Sequence, residues 1–283
     1  MDASTSVAFS ISAPRDRQDA ILCEAIAPLL RELDSSPHLD AAYFERFNKP
    51  HWGIRFHLLG RPGWIEQEAR PFLERRLGDV ADGFAFVPEE TEDKWVGGLR
   101  ERERLKKIHH LDSRACIDRI QTEARGAQTG SRAQFSLLLV ERLLDLFRLA
   151  GARRLEFYRR GFQWEVDLGR WDGEVFAALE EKYESQKGAL RSSLDSRPDD
   201  AHADAWGGME SAGIACRLLD SLEGAVQPLL AAQAASRLER DLLDFASFAA
   251  HAHANRLGIH ATQEATLRYL AWRARGGLPG GSR

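Results

Sequence analysis

Between residues 51 and 58 the chain reads His51-Trp52-Gly53-Ile54-Arg55-Phe56-His57-Leu58. Side chains alternate along a strand, so Trp52, Ile54, Phe56 and Leu58 share one face while His51, Gly53, Arg55 and His57 share the other. The first face is apolar and belongs in a core. The second sets imidazoles on either side of a guanidinium, with a glycine removing bulk between them. That arrangement suits a cationic floor for a carboxylate and supplies a proton carrier. A solvent-facing strand with three unrelated polar residues would give the same pattern.

A second polar cluster lies near the C-terminus, on a helix expected to start near Ser236. With Leu238, Leu242, Phe245, Ala249 and Ala252 on the buried stripe, Asp244, Ser247, His251 and Asn255 fall together on the opposite side. A solvated helical face also has this spacing. Arg256 falls on the apolar stripe, where a charge is costly unless paired. Either the helix ends before it or the guanidinium has an ionic partner. His251 and His253, two apart, point away from each other on a helix, which argues against a shared metal. Asp199, Asp200, His202 and Asp204 could chelate a cation, but a run this polar also serves simply to stay in water. There is no Walker loop, Rossmann glycine fingerprint or nucleophile elbow, so nucleotide cofactors and serine hydrolysis have no support; neither a cofactor nor a metal is expected.

The elements that must carry these residues follow from periodicity. Residues 6 to 12 alternate as a half-buried strand with Val7, Phe9 and Ile11 inward, and residues 16 to 34 switch to a helical stripe that Pro28 should kink or interrupt. Strands are expected at about 40 to 47 and 51 to 58, a helix at about 65 to 77, and a short strand around Phe84 and Phe86. The order β-α-β-β-α-β is that of a split βαβ, ferredoxin-like antiparallel layer with two helices on one face. From about residue 99 the pattern is almost entirely helical. Ser131 with Gln134 and Ser236 with Glu239 have capping-box spacing, and Gly151 is expected to stop the first of these helices. Residues 193 to 208 read as a mobile loop. The chain is thus expected to be α+β, with an α/β layer over 1–98, a helical part over 99–275 and a flexible tail over 276–283.

Bulk properties bound the function. The 283 residues carry 39 Lys plus Arg against 43 Asp plus Glu, a net charge of −4, which argues against direct nucleic-acid binding by broad phosphate neutralisation. Cys23, Cys116 and Cys216 have no paired spacing for zinc or disulfides. The N-terminus lacks the features of a signal peptide, and no apolar run approaches the ~20 residues of a membrane helix. A soluble protein of the cytoplasm is expected, without a membrane partner.

Taken as a set, several stretches resemble a known family. Residues 43 to 56, from Tyr43-Phe44-Glu45-Arg46-Phe47 through His51-Trp52-Gly53-Ile54-Arg55-Phe56, resemble the "W-F-x-R-Y…P-H-L-R-L-R-F" segment of the thiopeptide-type bacteriocin biosynthesis family. That family includes the C-terminal elimination domain of class I lanthipeptide dehydratases. Pro88-Glu89 through Trp95-Val96-Gly97-Gly98 resembles "Y-x-P-E…R-Y-G-G", and His110-Leu111-Asp112-Ser113 resembles "F-x-x-D-S". His251-Ala252-His253-Ala254-Asn255-Arg256-Leu257-Gly258 with Glu264 resembles "H-M-x-x-N-R-L-G…E". The four lie in family order across nearly the whole chain.

The resemblance implies a stand-alone lyase that removes the α-proton of a glutamylated Ser or Thr and expels glutamate, leaving dehydroalanine or dehydrobutyrine. Its partners would be a leader-bearing precursor peptide and a separate protein that transfers glutamate from glutamyl-tRNA; a homodimer stays open. Arg55 matches the second strand arginine and His251 the family histidine, which makes these two the implied catalytic residues. His51, His57, Lys94, Asn255 and Arg256 are the implied substrate-binding residues. The chain departs from the pattern at two places. Gly53 replaces the first strand arginine, and the "R-Y-G-G" arginine is missing, with Lys94 the nearest cation and without a guanidinium fork. Other stand-alone members join two dehydroalanines in a formal [4+2] cycloaddition that builds a thiopeptide pyridine and releases the leader. An inactive homologue that binds a leader peptide or acts as a scaffold is the third alternative.

Overall fold

The computed structural model describes residues 5–48, 51–78, 83–87 and 99–278. Lys94, with the whole of 88–98, lies outside the described residues, as do Lys49, Pro50 and the end of the expected tail, 279–283.

Strands β1 (Thr5–Ser12), β2 (Leu39–Phe47), β3 (Gly53–Gly60) and β4 (Phe84–Val87) form one antiparallel sheet in the order β2-β3-β1-β4. This is the order a split βαβ layer requires, as the alternating patterns suggested. Val7, Phe9 and Ile11 lie opposite Leu58, Phe56 and Ile54, and all six are buried. Trp52 departs from expectation. It precedes β3 instead of belonging to it and is 40% exposed, off the buried face.

The connections between β1 and β2 and between β3 and β4 solve a proline problem in the same way. Helix α1 (Gln18–Ile21) passes through a π turn (Leu22–Ile26) into α2 (Ala27–Asp34), and α3 (Pro62–Trp64) passes through a π turn (Ile65–Ala69) into α4 (Arg70–Leu77). Pro28 and Pro71 each stand second in the segment after the π turn. A proline has no amide to donate and its ring crowds the preceding turn, and the wider turn takes up that mismatch. Pro28 therefore widens the helix without interrupting it.

Helix α5 (Leu99–Ala124) packs along β2. Two outward amides of this edge strand find side chains on it: Ala42 donates to His110 Nδ1 at 3.0 Å and Phe44 to Ser113 Oγ at 3.2 Å. The chain divides into two compact units, Met1–Gly126 and Ala127–Arg283. Helix α5 thus stays with the sheet, whereas the change to a helical pattern suggested a boundary at 98/99.

The second unit contains α6 (Arg132–Leu146), α7 (Gly151–Asp167), α8 (Gly173–Asp195), α9 (Met209–Ala234), α10 (Leu242–Arg256) and α11 (Ala261–Ala274). Helix α11 packs on α6, α7, α8 and α10. Ser131 caps α6 as expected, its hydroxyl accepting from the Gln134 amide at 3.1 Å. Three local expectations fail. Gly151 opens α7, and the chain reverses instead through Arg148 at φ 56°. Ser236 sits in the turn after α9 at φ 52°, and Asp241 is the cap of α10, accepting from the Leu243 amide at 2.8 Å. Residues 193–208 are not a free loop: Asp199 caps a 3-10 turn (Asp200–Trp206) that ends on a fully buried indole, Trp206. Among the described residues no helix is long and apolar enough to cross a membrane.

Candidate functional site

In the first unit the polar face of β3 is built from paired rows. Arg55 stands between Ser10 of β1 and Glu45 of β2, and His57 between Ala8 and Tyr43. Side chains directly opposite one another share a face, so alternation in three strands assembles Tyr43, Glu45, Arg55 and His57 together. The His57 ring is buried and stacks on Tyr43 at 4.5 Å between centroids and 9° between planes. Its Nε2 lies 3.7 Å from Glu45 Oε2. Arg55 is half-buried, with its guanidinium carbon 5.6 Å from the centre of the Phe47 ring. His51 lies before the strand and is exposed, so the expected four-residue face is three residues long.

Gly53 has a packing reason. A Cβ there would meet Phe47 Cζ at 2.4 Å and the Ile11 carbonyl oxygen at 2.6 Å. The position that carries the first arginine in the family pattern is therefore closed in this chain. Its backbone is also tied down, because Gln18 Nε2 donates to the Gly53 and Ala13 carbonyls at 3.2 Å each. On the opposite face Arg46 is held by Asp19 at 2.6 Å and Gln18 at 3.3 Å.

In the second unit the His251 side chain, on α10, is 64% exposed, and its Nδ1 lies 2.7 Å from Glu264 Oε2 on α11. The other carboxylate oxygen, Oε1, accepts from Arg268 Nη2 at 2.9 Å. Arg268 is buried with its guanidinium 4.3 Å from the centre of the Phe157 ring. Burial works to raise the Glu264 carboxyl, but the His251 hydrogen bond and the Arg268 charge outweigh it and hold the group below its ordinary value. An ionised carboxylate can only accept, so His251 donates its Nδ1–H to Glu264.

The other residues of the expected cluster behave differently. The Ser247 hydroxyl donates back to the Leu243 carbonyl at 2.8 Å, and Asp244 faces Arg160 at 3.4 Å. Asn255 is half-buried one turn beyond His251. Helix α10 includes Arg256, whose side chain is fully buried, so the alternative of a helix ending before it does not hold. His253 is buried, with its ring 6.1 Å from that of Phe135.

Arg55 with His57 thus belongs to the first unit and His251 to the second. The sequence reading left Glu45 and Arg268 unremarked and gave Glu264 no role. Helical spacing of an acid and a base, Glu264 and Arg268 four apart, was the available signal for one pair. For Glu45 and Tyr43 the signal was alternation, since both fall opposite Phe44 on β2.

The fold has relatives among solved structures. The chain superposes on TsrL with a TM-score of 0.66 at 18% identity, covering 96% of this chain and 94% of that one. The tRNA-dependent lantibiotic dehydratase MibB from Microbispora sp. 107891 gives 0.68 at 18% identity, with 95% of this chain spanning 28% of that one. TbtD, the pyridine synthase from thiomuracin biosynthesis, gives 0.71 at 14% identity over 96% and 98% of the two chains. No curated protein sequence matches. The family model described as the C-terminal part of the lantibiotic biosynthesis dehydratase covers residues 7–275, and the chain belongs to that family.

Proposed function

We propose that this chain is a modifying enzyme of ribosomally made peptide natural products, a lyase that removes glutamate from glutamylated Ser or Thr. The observation that carries the reading is the His251–Glu264 pair, an exposed imidazole whose Nδ1–H is engaged by a buried carboxylate. In the proposed step Nε2 takes the proton from the α-carbon, the electron pair forms the α,β double bond, and the β-carbon–oxygen bond breaks. Glutamate leaves as a carboxylate and the peptide keeps dehydroalanine or dehydrobutyrine. Arg55 is the proposed cation for the departing carboxylate or for the carbonyl that gains charge. His51, His57, Asn255 and Lys94 are the proposed contacts to substrate, and the buried Arg256 would act by holding its neighbours. The proposed partners are a leader-bearing precursor and a glutamyl-transferring protein that uses glutamyl-tRNA, all in the cytoplasm.

The test is direct. Given a peptide glutamylated at Ser, the purified chain is expected to release glutamate and yield a product one water lighter than the unmodified peptide. His251→Ala is expected to lower the rate by about 10²- to 10⁴-fold, the usual contribution of a positioned base. Release of glutamate at an unchanged rate by that variant would remove His251 from the chemistry.

One observation favours a second reading. The closed Gly53 position leaves β3 with a single arginine, a poor clamp for a dicarboxylate. A pyridine synthase, as TbtD is, has no glutamate to hold. Conversion of a peptide already bearing two dehydroalanines, with loss of its leader, would select that reaction.

A further inference from the structure

The buried arginine behind Glu264 has no counterpart in the roles assigned so far. Arg268 lies on α11 one turn after Glu264, donates to the oxygen that His251 does not use, and is buried to 4% exposure against the Phe157 ring of α7. Room for it is made by Gly161 of α7, where a Cβ would come 2.8 Å from Arg268 Cγ and 3.3 Å from its Cβ and Cδ. A guanidinium this deep is costly without a charge to answer, and the one it answers is the carboxylate that orients the exposed imidazole.

We infer that Arg268 is a positioning residue for the proton carrier, one that keeps Glu264 ionised and also offsets its charge so that His251 stays available as a neutral base. The two effects are separable. A lone buried carboxylate beside His251 would hold the ring as imidazolium, since an opposite charge within hydrogen-bond distance favours the charged form. With Arg268 in place the Glu264–Arg268 pair is neutral overall. Glu264 then fixes the ring through Nδ1 without trapping a proton on Nε2.

The charged groups facing this chain of contacts come from several helices. His251 comes from α10 and Arg268 from α11 itself, while α7 presents the Tyr158 phenol, which is bonded to Glu141 of α6. A second buried carboxylate faces α11 from α7: Glu165 accepts from the Thr262 hydroxyl at 2.9 Å and lies 3.4 Å from Arg170. Glu180 of α8 is engaged by Arg273, at 2.6 and 2.8 Å, and by the Tyr269 hydroxyl.

The inference rests on His251 being the base of the proposed reaction, and its test includes a readout that needs no reaction. Arg268→Met keeps the apolar stem and removes the charge; Arg268→Lys keeps the charge without the fork. In the full-length chain, NMR titration of the His251 ring is expected to give a midpoint at higher pH in Arg268→Met and a midpoint close to the parent's in Arg268→Lys. Gly161→Ala, which displaces the arginine without touching the carboxylate, is expected to move the midpoint in the same direction as Arg268→Met. With glutamylated peptide, Arg268→Met should lose about tenfold in kcat at neutral pH, with its acid limb moved to higher pH and KM unchanged. An unmoved midpoint in a folded Arg268→Met, judged by its circular dichroism, overturns the inference. A moved midpoint in a protein that releases no glutamate upholds it and refutes the lyase reading instead.

Discussion

A single missing β-carbon decides what strand β3 can carry at its start. At Gly53 the neighbours are a ring edge, which can shift, and the Ile11 carbonyl oxygen, which is held in the β1–β3 ladder and cannot. Gly53→Ala is therefore expected to lower stability by about 1–3 kcal/mol, measured as a shift in the denaturant midpoint at constant slope. Arginine there would carry the same backbone conflict and a charge besides. Two positions further along, Arg55 keeps the half-buried place that the alternating pattern assigned to it. The same pattern placed His57 on that face but could not foresee its burial, because the Tyr43 ring that covers it arrives from another strand.

Among the elements, α5 is the one whose packing creates a pH dependence. His110 accepts from the Ala42 amide, and burial, aided by the charges of Arg114 and Lys107, pushes its imidazole down from 6.5 to about 4. The folded chain then favours the neutral ring. As pH falls from 6.5 toward about 4 the unfolded chain takes up a proton that the folded chain refuses, so stability is full above this window and declines through it. The loss is expected to be about 3 kcal/mol, and unfolding experiments across that range should show it shrink in His110→Gln, which retains an acceptor but cannot titrate. Legibility in the sequence also divides at the element scale. Strands β1 and β3 were readable because each buries alternate residues, and the cap at Ser131 because it acts within one turn. The irregularity expected at Pro28 takes the form of a π turn, a form that no local periodicity encodes. Likewise the His251–Glu264 bond joins two helices across a turn, so the helical wheel of either one shows only half of it.

At the scale of the whole molecule the two units hold together by different means. The first relies on a sheet with helices on its apolar face, the second on helices tied by buried carboxylates such as Glu141, which receives Arg154 and Arg275 at 2.6 Å each. In the second unit Trp206 closes a segment rich in Asp, Ala, Ser and Gly, and the flanking Gly207 at φ 87° lies where a Cβ would meet the Thr129 carbonyl. Trp206→Ala is expected to cost about 3–5 kcal/mol, and hydrogen exchange should then accelerate over 196–208. Composition alone reads this stretch as mobile, since a few buried anchors such as Leu194 and Trp206 barely register in an average.

The manner in which α5 covers β2 reaches beyond this chain's own stability. An open sheet invites other chains to add to its rim by backbone pairing. Here the nine-residue rim at β2 is occupied by His110 and Ser113, and the opposite rim of the described sheet, β4, is four residues long. Pairing of another copy along β2 would have to displace both His110 and Ser113 from the amides they hold.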